Sequence, residues 1–384
     1  MATREALWNY RNEFGDAFGR TYFRRFGPGV VASVGLGSYL GDPTDAVDRD
    51  LAGAAELALR SGVNVLDTAS NYRHGRSERV LGEALGRSPI GRDAVVVSSK
   101  GGFIPFDDGA AADPTEYVRE RFVGTGLLDV DDLAGGQHAL TPAFLDWSLD
   151  RSLDRLGLES IDCYYLHNPE TQLAVRSRDA VYEAIEAGFE RLERRRLADD
   201  VGCYGLATWE AFRVPEGHDA YLSLAEVLER AQAVGERVGP TDEHGFEAIQ
   251  LPFNVVMADA FTRANQRPPA SIDGATADRE RVSEEIGDDE RLSTLEFAHE
   301  AGLSVFTSAS IAQGELAKPD AIPAAVDAEL AGDTPAQRAI NFARSAPGVT
   351  CALVGTTSAD HLRENVAAGT FDPMGAKAFD AVFM

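Results

Sequence analysis

Asp67, Tyr72, Lys100 and His167 are residues whose types, taken together, can move a proton. Asp67 closes the largely apolar run Val63 to Leu66, and Tyr72 follows five residues later in the polar stretch "TASNYRHG". Lys100 stands behind "AVVVSS" and His167 behind "IDCYYL". Lysine is scarce here. The chain has three in all, Lys100, Lys318 and Lys377, so one placed at the end of an apolar run stands out. A phenol with a reference pKa of ~10 gives up its proton too reluctantly for work at neutral pH, and a neighbouring ammonium lowers that barrier by stabilising the phenolate. A carboxylate facing the ammonium keeps it charged and aimed. A neutral histidine beside the phenol can orient a carbonyl and donate to its oxygen. The four suit proton delivery to a carbonyl that receives electrons from elsewhere. None is a hydride source, which implies a nicotinamide cofactor.

Such residues need elements that bring them together. Eight short apolar runs read as strands: Val30 to Gly35, Val63 to Asp67, Ala94 to Ser99, Ile161 to Leu166, Val201 to Ala207, Phe246 to Pro252, Leu303 to Ser308 and Thr350 to Val354. Helical patterns alternate with them over 44–60, 77–85, 142–156, 178–197, 222–238, 291–300, 335–346 and 359–367. Ser77, Thr141 with Pro142, Thr334 with Pro335, and Ser358 are candidate caps, and Gly62, Gly86, Gly157 and Gly302 candidate stops. Strict alternation predicts an α/β fold of the closed (β/α)8 TIM-barrel type rather than an open doubly wound sheet. Residues 1–384 read as a single barrel domain, with 1–29 as an N-terminal extension. There Tyr22, Phe23 and Phe26 beside Gly27-Pro28 suggest a hairpin under the barrel. Segments 102–140 and 255–290 exceed ordinary loop length and overhang the C-terminal face.

In such a barrel catalytic side chains gather at the C-terminal strand ends. Asp67, Lys100 and His167 end three successive strands, and Tyr72 lies just past the first of these ends. Singly, each has a plain structural reading: Asp67 as the cap of a turn with Thr68 and Ser70, His167 as an edge histidine with satisfied hydrogen bonds. Convergence at one mouth favours chemistry. "GLGSYLG", 35–41, is no dinucleotide fingerprint, because Leu40 stands where the last glycine belongs. It reads as a flexible loop after the first strand, with Gly37 a candidate cofactor contact.

Composition narrows the class. Asp and Glu number 62 against 36 Lys and Arg, a formal net charge of -26 spread along the chain. Arginine supplies nearly all the positive charge, a pattern of proteomes adapted to high salt, where screening removes most of the self-repulsion. Bare nucleic acid is excluded as a partner, since counterion release needs a basic face. Cys163, Cys203 and Cys351 are far apart within apolar runs, with neither a CxxC pair nor zinc spacing, and read as core packing. No metal is expected. No apolar run approaches a membrane span and no signal-type N-terminus is visible, so a soluble, cytoplasmic protein is expected.

The segments "GVNVLDTASNYRHGRSERVLGEAL", "VVVSSKGG", "IDCYYLHNPE", "VGCYGLATW", "AIQLPFN", "FTSASIAQGEL" and "GTTSADHLREN" resemble, in order, the aldo-keto reductase family, here in an acidic, haloarchaeal-like form. The resemblance implies a (β/α)8 barrel using NAD(P)H and a catalytic tetrad of Asp67, Tyr72, Lys100 and His167. Tyr72 would be the general acid in reduction and the base in oxidation. It also implies nicotinamide contacts from Gln250 and the region after the fifth strand. Phosphate and adenosine contacts would come from Ser308, Gly314, Leu316, Gly355, Thr356, Thr357, Ser358, Glu364 and Asn365. Two places depart from the family. Ala207 and Thr208 stand for its usual Ser-Asn pair, with Thr208 serving in part. Gly355 and His361 stand where many members carry basic residues on the 2'-phosphate, with Arg363 a substitute from the next turn. NADP(H) is favoured and NAD(H) is the alternative. The implied substrate is a small aldehyde or ketone, sugar-derived ones included, acted on by a monomer or homo-oligomer. A nicotinamide-binding sensor or regulatory subunit with little turnover is the rival reading, as in the family's potassium-channel β-subunit branch. A Schiff base on Lys100 is a third, weakened by Asp67 as counter-ion. Tyr39, Phe103, Trp209 and Phe253 are candidate pocket walls.

Overall fold

A computed structural model describes residues 1–106, 113–239, 243–268 and 291–383. The first strands, β1 (Phe23–Phe26) and β2 (Gly29–Ala32), pair antiparallel as a hairpin. Six parallel strands follow: β3 (Val34–Gly37), β4 (Val65–Asp67), β5 (Val96–Gly101), β6 (Ile161–His167), β7 (Val201–Ala207) and β8 (Phe246–Pro252). A short antiparallel pair, β9 (Ala264–Gln266) and β10 (Leu292–Ser293), lies outside the barrel. Then β11 (Ser304–Ser308) and β12 (Val349–Gly355) close it, β12 pairing with β3 as Gly355 on Gly37. The result is a closed eight-stranded parallel barrel, a (β/α)8 TIM barrel.

Local chemistry accounts for most boundaries. The helices Pro142–Leu156 and Pro335–Ser345 start on Thr141 and Thr334, whose hydroxyls accept from Phe144 and Gln337 N–H with proline in the first turn. Ser358 caps Ala359–Ala367 by accepting from His361 N–H. Ser77 is no cap. The helix Arg76–Arg87 starts at Gly75, and the Ser77 hydroxyl donates to the Ser38 carbonyl at 2.7 Å. Gly86, expected as a stop, lies inside that helix.

The first expected strand divides in two. Val30 to Ala32 belongs to the hairpin, and only from Val34 does the chain enter the barrel. A continuous apolar run hides that break, because both pieces are buried on every residue up to Leu36. The hairpin lies under the barrel, with Phe26 edge-on to Phe306 of β11 at 5.0 Å. The helix Arg4–Phe14 joins it there, and its Leu7 packs among the interior residues. Among the described residues of the long segment 102–140, helix Pro114–Val118 and a π turn at Arg119–Val123 carry Val118 and Phe122 into a small cluster with Ile104, Leu128 and Phe144. The segment 255–290 includes the short helix Asp259–Thr262 and β9, and its stretch 269–290 lies outside the described residues.

Apolar side chains fill both sides of the strand cylinder. Cys163, Cys203 and Cys351 are free and buried inside it with Tyr165 and Phe306. Tyr165 has room because its neighbour on β7 is Gly205, where an added Cβ would lie 2.8 Å from the tyrosine ring and 2.1 Å from the Ala248 carbonyl oxygen. A backbone carbonyl cannot step aside. Gly205→Ala is therefore expected to destabilise the fold by about 1–3 kcal/mol or more, the usual cost of overpacking, read as a lower denaturant midpoint with an unchanged slope.

Candidate active site

Alternation along β5 sorts its polar residues by face. Ser98 and Lys100 point into the barrel mouth, where the Ser98 hydroxyl and the Lys100 ammonium donate to the two oxygens of Asp67 at 2.7 and 2.6 Å. Ser99 points outward and donates to Glu78 Oε1 at 2.6 Å. Gln250 of β8 reaches across to give Asp67 Oδ2 another N–H at 2.9 Å. The carboxylate is 4% exposed and the lysine 0%, so the pair is dry. Lys100 also donates to the Thr68 carbonyl at 2.7 Å and lies 4.8 Å from the centre of the Tyr72 ring.

The loop that carries Tyr72 is fastened at several points. Thr68 N–H and Ser70 N–H donate to the β5 carbonyls of Ser98 and Lys100. Arg155, from the helix Pro142–Leu156, donates to the Ser70 carbonyl at 3.0 Å and pairs with buried Glu78 at 3.3 Å. Beyond the tyrosine, Arg73 and His74 take left-handed backbone angles (φ 49° and 58°). Arg73 is held by the Asp42 carbonyl and by Asp48 at 2.6 Å. Tyr72 is thereby presented to His167 with ring centres 5.8 Å apart, while Phe103 meets the histidine from another side at 5.0 Å.

Burial sets the protonation states. It pushes the Tyr72 phenol above its ordinary range; Lys100 pulls the other way without overturning that. The expectation of a lowered phenol is thus corrected: in a site this dry the tyrosine keeps its proton. Burial opposes the Lys100 charge too, but Asp67 and then Tyr72 outweigh it, and the ammonium is held above its ordinary value. His167 is driven well below the ordinary histidine value by burial, with Lys100 and His138 adding to it. It is neutral.

These groups line a cavity of about 480 Å³ whose wall includes Asp67, Tyr72 and His167, with Lys100 packed behind. Five of the candidate cofactor residues line it: Gly37, Thr208, Gln250, Ser308 and Gly355. The facing Gly37 and Gly355 leave bare backbone where β3 and β12 meet. The Thr208 hydroxyl and Asn71 Oδ1 are buried without partners on this wall, an arrangement that fits a flat, amide-bearing ring such as nicotinamide. Gly314, Leu316, Thr356, Thr357, Ser358, His361, Glu364 and Asn365 lie off the cavity wall, in the loops after β11 and β12 and the helix that follows. Of these, Leu316 is in the core, and the Thr356 hydroxyl accepts from Ser358 N–H at 3.0 Å. Tyr39, Phe103 and Trp209 line the wall as expected. Phe253 does not. It is fully buried and stacked on Phe342 at 5.7 Å, because residues after a strand end alternate between mouth and core.

Sequence reading did not single out Ser98, Glu78, Arg155, His138 or Gln172. Ser98 was within reach: it is two residues before Lys100 and so on the same face. The others act through tertiary contacts that leave no local mark.

Residues 33–221 match the model of the Aldo/keto reductase family. A candidate voltage-gated potassium channel subunit beta of Schizosaccharomyces pombe is 23% identical over 346 residues, 89% of this chain and 85% of that one. The D-threo-aldose 1-dehydrogenase of a Pseudomonas species is 30% identical over 182 residues, 47% of this chain and 50% of the enzyme; the match thus spans about half the length of this relative. Among solved structures, an aldo/keto reductase from Klebsiella pneumoniae in complex with NADP and acetate superposes with a TM-score of 0.56 at 18% identity, covering 94% of each chain. The likeness to the aldo-keto reductase family model thus spans just under half of the chain. Among the described residues no helix is long and apolar enough to cross a membrane.

Two outcomes follow from the buried charges. Lys100→Met strands Asp67 without its cation and is expected to cost about 3–5 kcal/mol, part of which Asp67→Asn in the same chain restores; chemical denaturation of the single and double variants measures both. Acid exposes a second dependence. His138, buried beside His167, is lowered by burial from 6.5 to about 4. A group whose folded pKa is depressed contributes stability above its unfolded value, and that contribution disappears as pH falls through the folded one. Roughly 3 kcal/mol should be lost between pH 6.5 and about 4 from this residue, and His138→Gln should flatten that part of the stability curve.

Proposed function

We propose that this protein is an NAD(P)H-dependent oxidoreductase that reduces a small aldehyde or ketone, with Tyr72 as general acid, Lys100 and Asp67 as its charge support and His167 as the orienting donor. The observation that carries the reading is the dry Asp67–Lys100 pair set against the Tyr72 ring, with a neutral His167 on the same cavity wall. A nicotinamide cofactor, when bound, supplies the hydride. Thr208, Gln250 and the bare backbone at Gly37 and Gly355 would hold its ring end, and the loops after β11 and β12 its remainder.

The residues divide the work by charge. Tyr72 holds its proton until a carbonyl oxygen gains negative charge, then transfers it from the phenolic oxygen. Lys100 stabilises the phenolate left behind, at low dielectric and close range. Asp67, held by Ser98 and Gln250, keeps the ammonium charged and stationary. His167 donates to the same carbonyl oxygen and fixes its direction. Tyr39, Phe103 and Trp209 wall the mouth with aromatic surface, which suits a compact organic carbonyl. NADP(H) stands ahead of NAD(H), because the similar Klebsiella pneumoniae reductase was solved in complex with NADP. Among the described residues Arg363 is engaged only by Asp360, in an exposed pair at 2.7 Å weak enough for the guanidinium to turn to a 2'-phosphate. The acidic surface calls for assay in high salt.

A regulatory subunit with little turnover is the second reading, favoured by the likeness to the Schizosaccharomyces pombe protein over most of both chains. One experiment separates the two. NADPH and NADH are titrated by fluorescence, and oxidation is followed over a panel of aldehydes, ketones and sugars. Turnover that falls about 10²-fold to 10⁴-fold or more in Tyr72→Phe, with cofactor affinity kept, supports the reductase. Unchanged turnover in Tyr72→Phe removes the assignment of the acid, and tight binding without any turnover favours the regulatory subunit.

A further inference from the structure

We propose that His138, delivered by the long segment after β5, is a positioning residue that fixes the backbone of His167. The inference rests on the reductase reading for its kinetic consequence, though the contact itself does not. Segment 102–140 leaves β5 and returns through bridges that pair Phe103 and Ala134 with His138. This places His138, fully buried, with Nε2 2.8 Å from the His167 carbonyl oxygen.

Its proton can be assigned from the neighbours. The Gln172 amide nitrogen lies 3.3 Å from the Asp132 carbonyl and 2.8 Å from the His138 carbonyl, so it must be the donor end. The same nitrogen lies 2.9 Å from His138 Nδ1, which therefore accepts. Nε2 then carries the hydrogen and donates to the His167 carbonyl, an acceptor only. Burial and this tautomer agree: the ring is neutral.

The geometry fixes one peptide plane from both sides. The carbonyl of the His167–Asn168 peptide receives His138, and its N–H donates to the Ala207 carbonyl at 2.6 Å. The plane is held at the point where the chain takes a left-handed turn, with Asn168 at φ 46° before Pro169. Asn168 itself lines the cavity. Gly102 permits the approach, for a Cβ there would lie 2.8 Å from the His167 oxygen and 3.1 Å from His138 Nε2. Phe103 completes the shelf, edge-on to His138 at 4.7 Å and to His167 at 5.0 Å. Without His138 the His167 carbonyl loses this donor in a dry site, and the peptide is held from its N–H side alone. Displacement of a reacting group by about 1 Å can cost on the order of 10²-fold in rate.

The test compares His138→Leu, His138→Gln and Gln172→Leu with the wild type, on a carbonyl that the wild type reduces. His138→Leu should lower kcat about 10-fold to 100-fold while the KM and Kd for NADPH stay within about twofold. Gln offers an N–H in the same region and should restore most of kcat, and Gln172→Leu should give a smaller loss in the same direction. Val118→Ala, in the apolar cluster of the same segment, controls for general loosening. Wild-type kcat in His138→Leu, or an equal loss in Val118→Ala at matched Tm, overturns the proposal. Nitrogen-15 spectra of labelled histidine read the contact without turnover: a neutral Nε2–H tautomer of His138 is expected, and an Nδ1–H tautomer or an imidazolium at neutral pH overturns it. If the wild type reduces no carbonyl, the reductase reading fails while these spectra still decide the contact.

Discussion

The Asp67–Lys100 ion pair is the constraint around which the mouth of the barrel is organised. Two charges taken out of water are costly, and their attraction offsets that cost only with close geometry and every remaining donor and acceptor engaged. Asp67 meets the condition by accepting from Ser98, Lys100 and Gln250, which belong to β5 and β8. Lys100 meets it by donating to the Thr68 carbonyl as well. The bonds tie β4, β5, β8 and the loop after β4 to one another, so these elements cannot drift separately without leaving a charge uncompensated.

Around that pair the structure sets opposite fates for neighbouring protons. Burial alone would leave Lys100, Tyr72 and His167 all uncharged, yet the lysine stays charged because its counter-ion outweighs desolvation. The tyrosine stays protonated because burial outweighs the lysine. The histidine stays neutral because burial and the lysine act in the same direction. Burial decides the tyrosine and leads for the histidine, and the counter-ion decides the lysine. The arrangement leaves a phenol that releases its proton only when negative charge arrives on a bound carbonyl, which is the behaviour the proposed reduction asks of it.

Much of this was legible in the chain itself. Barrel strands had to be buried on both faces, so apolar runs marked them, and a charged residue ending such a run had to be at the mouth. That logic found Asp67, Lys100 and His167 and the eight-fold alternation. It failed where the pattern is silent. Val30 to Ala32 and Val34 to Leu36 are equally buried, so no periodicity separates hairpin from barrel. Phe253 stands one residue beyond a strand end and turns to the core, where it stacks on Phe342 far along the chain. Ser77 has the chemistry of a cap but spends its hydroxyl on the Ser38 carbonyl. The Arg155 and Glu78 bracing of the tyrosine loop joins helices some eighty residues apart and has no local signature.

The shelf under His167 joins two tasks that barrel proteins often keep apart. The segment after β5 frames the entrance through Phe103, and through His138 the same segment touches the backbone of the histidine. Loops over such a mouth are ordinarily free to vary while the strands stay fixed. Here a lineage that exchanged this segment to admit a new molecule would also have unsettled its chemistry. Inheritance of the entrance and of the reaction centre is therefore linked, and an engineer grafting a foreign loop would have to carry the histidine, its glutamine and the preceding glycine along with it.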